Sequence, residues 1–368
     1  MSNLLSIHAS PLIRGSAGMF LMVVVYIAAP SRGQSQHHLS HSQLLIYLDD
    51  QGHEQPVITT EDWAHRRKQI LEGMQEVMGR LPDRSRLPPL DVKVTEEIQT
   101  EDFTRRSLSF VLKEGQHRIP AYLFIPTSAT PGKRLPAMLA LHQTTATGKA
   151  ETAGMGKPNM AYGLELARRG YVVLCPDYPS FGDYPSDFKD PAYASGTMLG
   201  IFGHMRCVDL LQSLPEVDPQ RIGVIGHSLG GHNAMFVAVF DERLKVVVSS
   251  CGWTPFADYY GGKIKGWSSP RYMPRISSVY NLDPNQMPFD FYEVVAAIAP
   301  RPFFSNSPLH DHNFDVGGVR KAEAEARKVY ELFHAADSFR VRYPDCLHDF
   351  PPEVRAEAYA FIDSVLKP

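Results

Sequence analysis

The chain has 368 residues, 21% of them charged, and a formal net charge of -3. That length holds one large α/β domain or two small ones, and the balanced charge argues against the clustered basic face that nucleic-acid binding requires. The four cysteines, Cys175, Cys207, Cys251 and Cys346, are widely spaced with no C-x-x-C pair. That spacing argues against a zinc ribbon or a disulfide framework and leaves Cys175 and Cys251, which close apolar runs, as small core hydrophobes.

Residues 1–33 have the form of an export signal. Arg14 supplies positive charge, an apolar run covers 19–29, and small residues follow through Ser31 and Gly33. Cleavage is expected near Gly33, giving an exported protein, periplasmic or extracellular. The run is short for a bilayer span, and a retained membrane anchor is the alternative. His37, His38 and His41 follow in a polar leader and read as a solvated tail, not a metal cluster. Residues 34–89 comprise this leader and a helical extension over 61–81. There Trp63, Ile70, Met74 and Val77 share one face, and Pro82 is expected to end the helix.

The main domain is expected over 90–368. From 90 to 126 the apolar period is two, with antiparallel strands turning at Glu114-Gly115 and forming the leading edge of the main sheet. After that, strands at 136–141, 171–175, 222–225, 244–249, 302–305 and 339–343 alternate with helices at 162–169, 195–214, 319–333 and 352–366. This alternation predicts a mostly parallel twisted sheet covered by helices on both faces, with ligands bound beyond the carboxyl ends of the strands. Residues 252–298 break the rhythm and are rich in aromatics and proline. A connection that long is usually functional, and it is expected to form a cap over a substrate pocket. Trp253, Trp267 and Tyr272 are its candidate substrate-binding residues.

Residues 221–239 carry the strongest signal. The strand 222–225 runs straight into Gly226-His227-Ser228-Leu229-Gly230, and an apolar helical pattern follows at once. This strand, turn and helix match the G-x-S-x-G nucleophile elbow, in which a strained serine stands clear of the sheet. Cβ atoms at Gly226 or Gly230 are expected to collide with the neighbouring strand or helix. The pentapeptide alone is a weak signal, and the flanking elements give it weight.

A serine needs a base within hydrogen-bonding reach and an acid to orient that base. Where an elbow supplies the nucleophile, the acid and then the histidine follow it in the chain. Of the fifteen histidines, His348 lies in the expected loop between the last strand and the last helix and is the candidate base. Asp311 is the candidate acid, with Asp315 as the alternative. His310-Asp311-His312 as a metal site lacks a third partner cluster. Backbone N–H groups of Leu229 and Gln143 are the candidate oxyanion donors, and His142 and His227 read as structural. Ser228 would attack an acyl carbonyl while His348 takes its proton, and water would then hydrolyse the acyl-enzyme. The scheme requires no metal and no organic cofactor.

On the pieces LALHQTT, GYVVLCPDYPSFGD, RIGVIGHSLGGHNAMF, IAPRPFF and LHDFP, the chain resembles the α/β-hydrolase superfamily from about residue 91 to 366. It is most similar to the branch containing dienelactone hydrolases and acetyl xylan esterases. The resemblance implies an α/β-hydrolase fold with an N-terminal helical extension and carboxylic ester hydrolysis, with Ser228, Asp311 and His348 at the triad positions. Dienelactone hydrolases proper use cysteine where this chain has Ser228, which favours an acetyl or other short-acyl ester. Export and an aromatic cap suit esters on extracellular polysaccharide, so the expected partner is a small-molecule or carbohydrate ester. Two other readings are a prolyl oligopeptidase-like serine peptidase, for whose propeller the chain leaves no room, and a non-catalytic binding protein of the same fold.

Overall fold

A computed structural model describes residues 39–113, 117–130 and 132–367. The expected signal segment with its cleavage point, His37, His38 and the turn at Glu114-Gly115 lie outside them. Among the described residues no helix is long and apolar enough to cross a membrane.

A small antiparallel ribbon, β1 (Ile46–Leu48) with β2 (Glu54–Pro56), precedes helix α1 (Thr60–Met78). The start of α1 is fixed by a capping box: Thr59 Oγ1 accepts the Asp62 N–H, and the Asp62 carboxylate accepts the Thr59 N–H. The predicted face is buried, with Trp63, Ile70, Met74 and Val77 each at most 1% exposed. Burying Ile70, Met74 and Val77 contributes about 2 kcal/mol each. The helix ends at Gly79, earlier than the proline predicts. Gly79 has φ 92°, and a Cβ there would lie 2.5 Å from Ala194 Cβ, so a glycine turn packed against a neighbour stops it.

Strands β3 (Lys93–Gln99), β4 (Phe103–Val111), β5 (Arg118–Pro126), β6 (Leu135–Leu141), β7 (Val172–Pro176), β8 (Val217–His227), β9 (Leu244–Ser250), β10 (Phe303–Asn306) and β11 (Phe339–Arg342) form one sheet. Its order is β11-β10-β9-β8-β6-β7-β5-β4-β3. The neighbours from β11 to β7 pair in parallel, and β5, β4 and β3 extend the sheet antiparallel. The edge strand β3 is exposed throughout and carries Glu96 and Glu97, which pair with Arg105 and Arg106. Charge on an edge strand discourages pairing with another chain.

Successive side chains of a strand point to opposite faces, and here both faces are buried. Ala137, Leu139 and Leu141 pack with α1, α3 (Gly196–Ser213), α4 (Leu229–Phe240), α6 (Phe291–Ala296) and α7 (Val316–Leu332). Met138 and Ala140 pack on the other face with α2 (Tyr162–Arg168) and α8 (Pro352–Leu366). The 252–298 insertion is a series of short turns with α5 (Arg275–Ser278) and α6. It buries Phe256, Met273, Met287, Phe289 and Phe291 in the core shared with α4, so half of its ten aromatic residues are buried.

His41, expected in a solvated tail, is instead tied into the fold by charge, because buried Glu293 holds it. His41 Nδ1 lies 2.7 Å from Glu293 Oε2, and Arg66 donates to Glu293 Oε1 at 2.5 Å. Burial works to lower the His41 pKa, but the Glu293 carboxylate outweighs it and the net shift is upward. A histidine raised in the folded state adds stability that is complete below its unfolded pKa of about 6.5 and lost as pH climbs through the raised value. The melting-temperature gap between the wild type and His41→Gln is therefore expected to narrow from about pH 6 to about pH 9. A gap independent of pH would refute the assignment.

Candidate active site

Strand β8 delivers Ser228 to a corner with φ 53° and ψ -115°. A non-glycine residue held there costs on the order of 1–3 kcal/mol, and the surroundings hold it in place. The Ser228 N–H donates to Ser250 O on β9 at 2.8 Å. A Cβ on Gly226 would lie 2.1 Å from Gly230 O, and one on Gly230 would lie 1.9 Å from Leu141 O. Both glycines therefore have the steric role the sequence assigns them: helix α4 can begin against β6 only if these positions lack side chains.

His348 and Asp311 come from the loops after β11 and β10. The His348 Nδ1–H donates to Asp311 Oδ2 at 2.8 Å, and Asp311 Oδ1 accepts the N–H groups of Asn313 at 2.8 Å and Phe314 at 3.2 Å. The carboxylate is thus fixed on both oxygens and buried, while the ring is 23% exposed. Asp315 does different work: it caps α7, accepting the Gly318 N–H at 3.0 Å. His310 turns away to Asp345.

Two contacts place the imidazole beside the elbow. It stacks on Phe314, with ring centroids 6.0 Å apart, and meets His227, the residue before the serine, edge-on at 4.8 Å. Phe314 and Ser228 line the same cavity, of about 140 Å³, with Thr144, Leu229, His232, Tyr259, Gly266, Trp267, Tyr272 and Asn313. Among the described residues Ser228 Oγ makes no hydrogen bond to His348 or to any other group. The N–H groups of Leu229 and Gln143 likewise have no partner among the described residues, although both residues are at least nine-tenths buried. Buried backbone donors are nearly always paired, and Leu229 lines the cavity with Ser228 and with Thr144, the residue after Gln143.

The other histidines near the serine are held as scaffolding. The His142 Nδ1–H donates to Gln143 O at 2.6 Å, and its Nε2 accepts the Tyr178 N–H at 2.9 Å, which settles its tautomer. Asp177 anchors the same loop through the Lys149 N–H at 2.7 Å and Lys149 Nζ at 2.8 Å. Burial lowers the pKa of His142, takes His232 down to about 3, and holds His227 well below the usual range. All three are neutral at pH 7.

Of the candidate substrate-binding residues, Trp267 and Tyr272 line the cavity, but Trp253 does not. It is 1% exposed, packs against Phe303 and donates its indole N–H to Ser305 Oγ at 2.9 Å, so it is core and leaves the set. Sequence reasoning missed Thr144, His232, Asn313 and Phe314. His232 lies four residues after Ser228 on α4, and that helical spacing was the available signal. Phe314 had none, because it reaches the cavity only through the fold of the acid loop. A larger cavity of about 890 Å³, lined by Lys113, His117, Tyr184, Phe188, Lys189 and Asp190 among others, contains none of the candidate catalytic residues.

Residues 155–362 match the model of the alpha/beta hydrolase family. The protein YtaP of Bacillus subtilis (strain 168) is 31% identical over 320 residues, covering 82% of this chain and 99% of that protein. A glucuronoyl esterase from Solibacter usitatus superposes with a TM-score of 0.70 at 20% identity, covering 89% of this chain and 99% of that one. An acetyl xylan esterase from Paenibacillus sp. R4 superposes with a TM-score of 0.56 at 19% identity, covering 80% and 99%.

Proposed function

Because the chain belongs to the α/β-hydrolase family, we propose that it is a serine esterase, cleaving short-acyl esters carried on carbohydrate through an acyl-enzyme. The observation that carries this reading is a strained serine with an unengaged hydroxyl on a cavity shared with Phe314, and, stacked on Phe314 and edge-on to the residue before the serine, a histidine whose Nδ1 is committed to a buried carboxylate. That commitment leaves His348 Nε2 with its lone pair, which is what a general base needs. Catalytic hydrogen bonds are often open in the free enzyme and tighten on substrate, so Ser228 Oγ turns to Nε2 as the ester enters. The alkoxide attacks the carbonyl carbon, and the oxyanion takes the Leu229 and Gln143 N–H groups. His348 then protonates the leaving alcohol, and water repeats the cycle on the acyl-enzyme.

The cavity supports the substrate class. Its small volume suits an acetyl group and excludes a long acyl chain. Tyr259, Trp267, Tyr272 and Phe314 line it with aromatic rings, a lining suited to the C–H face of a sugar. The two solved esterases of similar fold are named for carbohydrate substrates of opposite sense, the sugar supplying the acid in one and the alcohol in the other. Initial rates on acetylated xylo-oligosaccharides, a methyl ester of glucuronic acid and p-nitrophenyl octanoate separate the cases. The acetylated sugar is expected to be fastest and the octanoate slowest. Preference for the uronic ester would reverse the sense of the substrate, and preference for the octanoate would remove the carbohydrate reading.

A further inference from the structure

Next to the proposed base, three potential metal donors converge. One donor atom from each of His227, Cys251 and His348 lies within 4.8 Å of the other two. His227 and Cys251 are buried, at 0% and 2% exposure. The His227 Nε2 has no hydrogen-bond partner among the described residues.

A hydrogen-bond network surrounds the two buried donors. The Asn306 amide donates one N–H to Ser250 Oγ at 2.8 Å and the other to Asp349 O at 2.8 Å. The Ser250 hydroxyl points to Cys251 Sγ at 3.9 Å, and Cys251 Sγ in turn to Asp349 O at 3.3 Å. Ser250 Oγ also meets His227 Nδ1 at 2.9 Å, a contact that holds the ring in place. In the tautomer with its proton on Nδ1, His227 presents a bare Nε2 lone pair inside the protein, the form that binds a cation. A histidine held by a hydrogen bond through its other nitrogen is how proteins orient a metal ligand.

We propose that these three side chains form an inhibitory site for a thiophilic divalent cation such as Zn²⁺, which silences the enzyme by capturing His348. The inhibition rests on the esterase reading above; the site itself does not. Two imidazoles and a thiolate suit borderline-soft cations and leave a fourth position open. Tetrahedral Zn²⁺ needs its donors about 3.5 Å apart, so the three close inward by about 1 Å. The cation takes the place of the Cys251 thiol proton, which goes to solvent, and the imidazole it holds is no longer free to accept a proton from Ser228.

The test titrates the full chain with Co²⁺, then measures Zn²⁺ inhibition of p-nitrophenyl acetate hydrolysis at buffered free metal. The wild type is expected to show a thiolate-to-cobalt absorption band and EDTA-reversible loss of hydrolysis. Cys346→Ser keeps both. Cys251→Ser loses the band, keeps its metal-free rate and needs about tenfold or more Zn²⁺ for half-inhibition. His227→Asn, which retains a polar contact to Ser250, also loses the high-affinity response. Absence of the band in the wild type overturns the site, as does persistence of the band or of unweakened inhibition in Cys251→Ser. A band without loss of hydrolysis overturns the inhibition. Should the protein hydrolyse no ester, the cobalt band still decides the site, so the two readings fail separately.

Discussion

Ser228→Ala is expected to abolish hydrolysis of a simple acetyl ester, with kcat falling roughly 10⁴- to 10⁶-fold, and to abolish labelling by a fluorophosphonate probe. The expectation follows from the arrangement around one oxygen atom. The Ser228 hydroxyl stands at a corner whose backbone is fixed by Ser250 O and by the absence of side chains on Gly226 and Gly230. Alanine fits the same corner without new contacts, so the variant should fold and melt as the wild type does. Loss of activity then reports loss of the nucleophile alone. Retained labelling at another residue, or retained hydrolysis, would exclude Ser228 and with it the acyl-enzyme.

Asp311→Asn is expected to lower kcat by about 10⁴-fold while leaving the fold intact. An amide in place of the carboxylate can present N–H to His348 Nδ1, which turns the ring to the tautomer with its proton on Nε2 and deprives Ser228 of its base. The two backbone N–H groups that Asp311 Oδ1 accepts, from Asn313 and Phe314, can be kept by the amide oxygen. The contrasting variant is Asp315→Ala. Its carboxylate caps α7 and does not face the imidazole, so the change should cost about 1 kcal/mol of stability and little activity. Steady-state kinetics and thermal melts on both variants decide the matter. Loss of turnover in Asp315→Ala, with Asp311→Asn active, would transfer the role to Asp315.

The alternating strands and helices were legible because each layer imposes its own period on contiguous residues. The end of α1 was misplaced because a local proline rule was applied where Gly79 packs against Ala194. Trp253 was misassigned for a related reason: an aromatic residue in a long connection looks the same whether it faces a ligand or Phe303.

Within the site, residues 226–230 could be read directly, because a turn this tight admits few residue types and its steric demand falls on neighbours in the chain. The chain order of nucleophile, acid and base narrowed the partners of Ser228 to a few. Sequence could not choose between Asp311 and Asp315, four residues apart on one loop. It gave no sign that Phe314 would stack on His348, or that the thiol of Cys251 would lie near two imidazoles. Those meetings join β8, β9, β10 and β11, whose ends are brought together by the parallel register of the sheet. Local backbone geometry is set by adjacent residues and can be read from them; proximity across a hundred residues is set by how strands stack, and that belongs to the folded molecule.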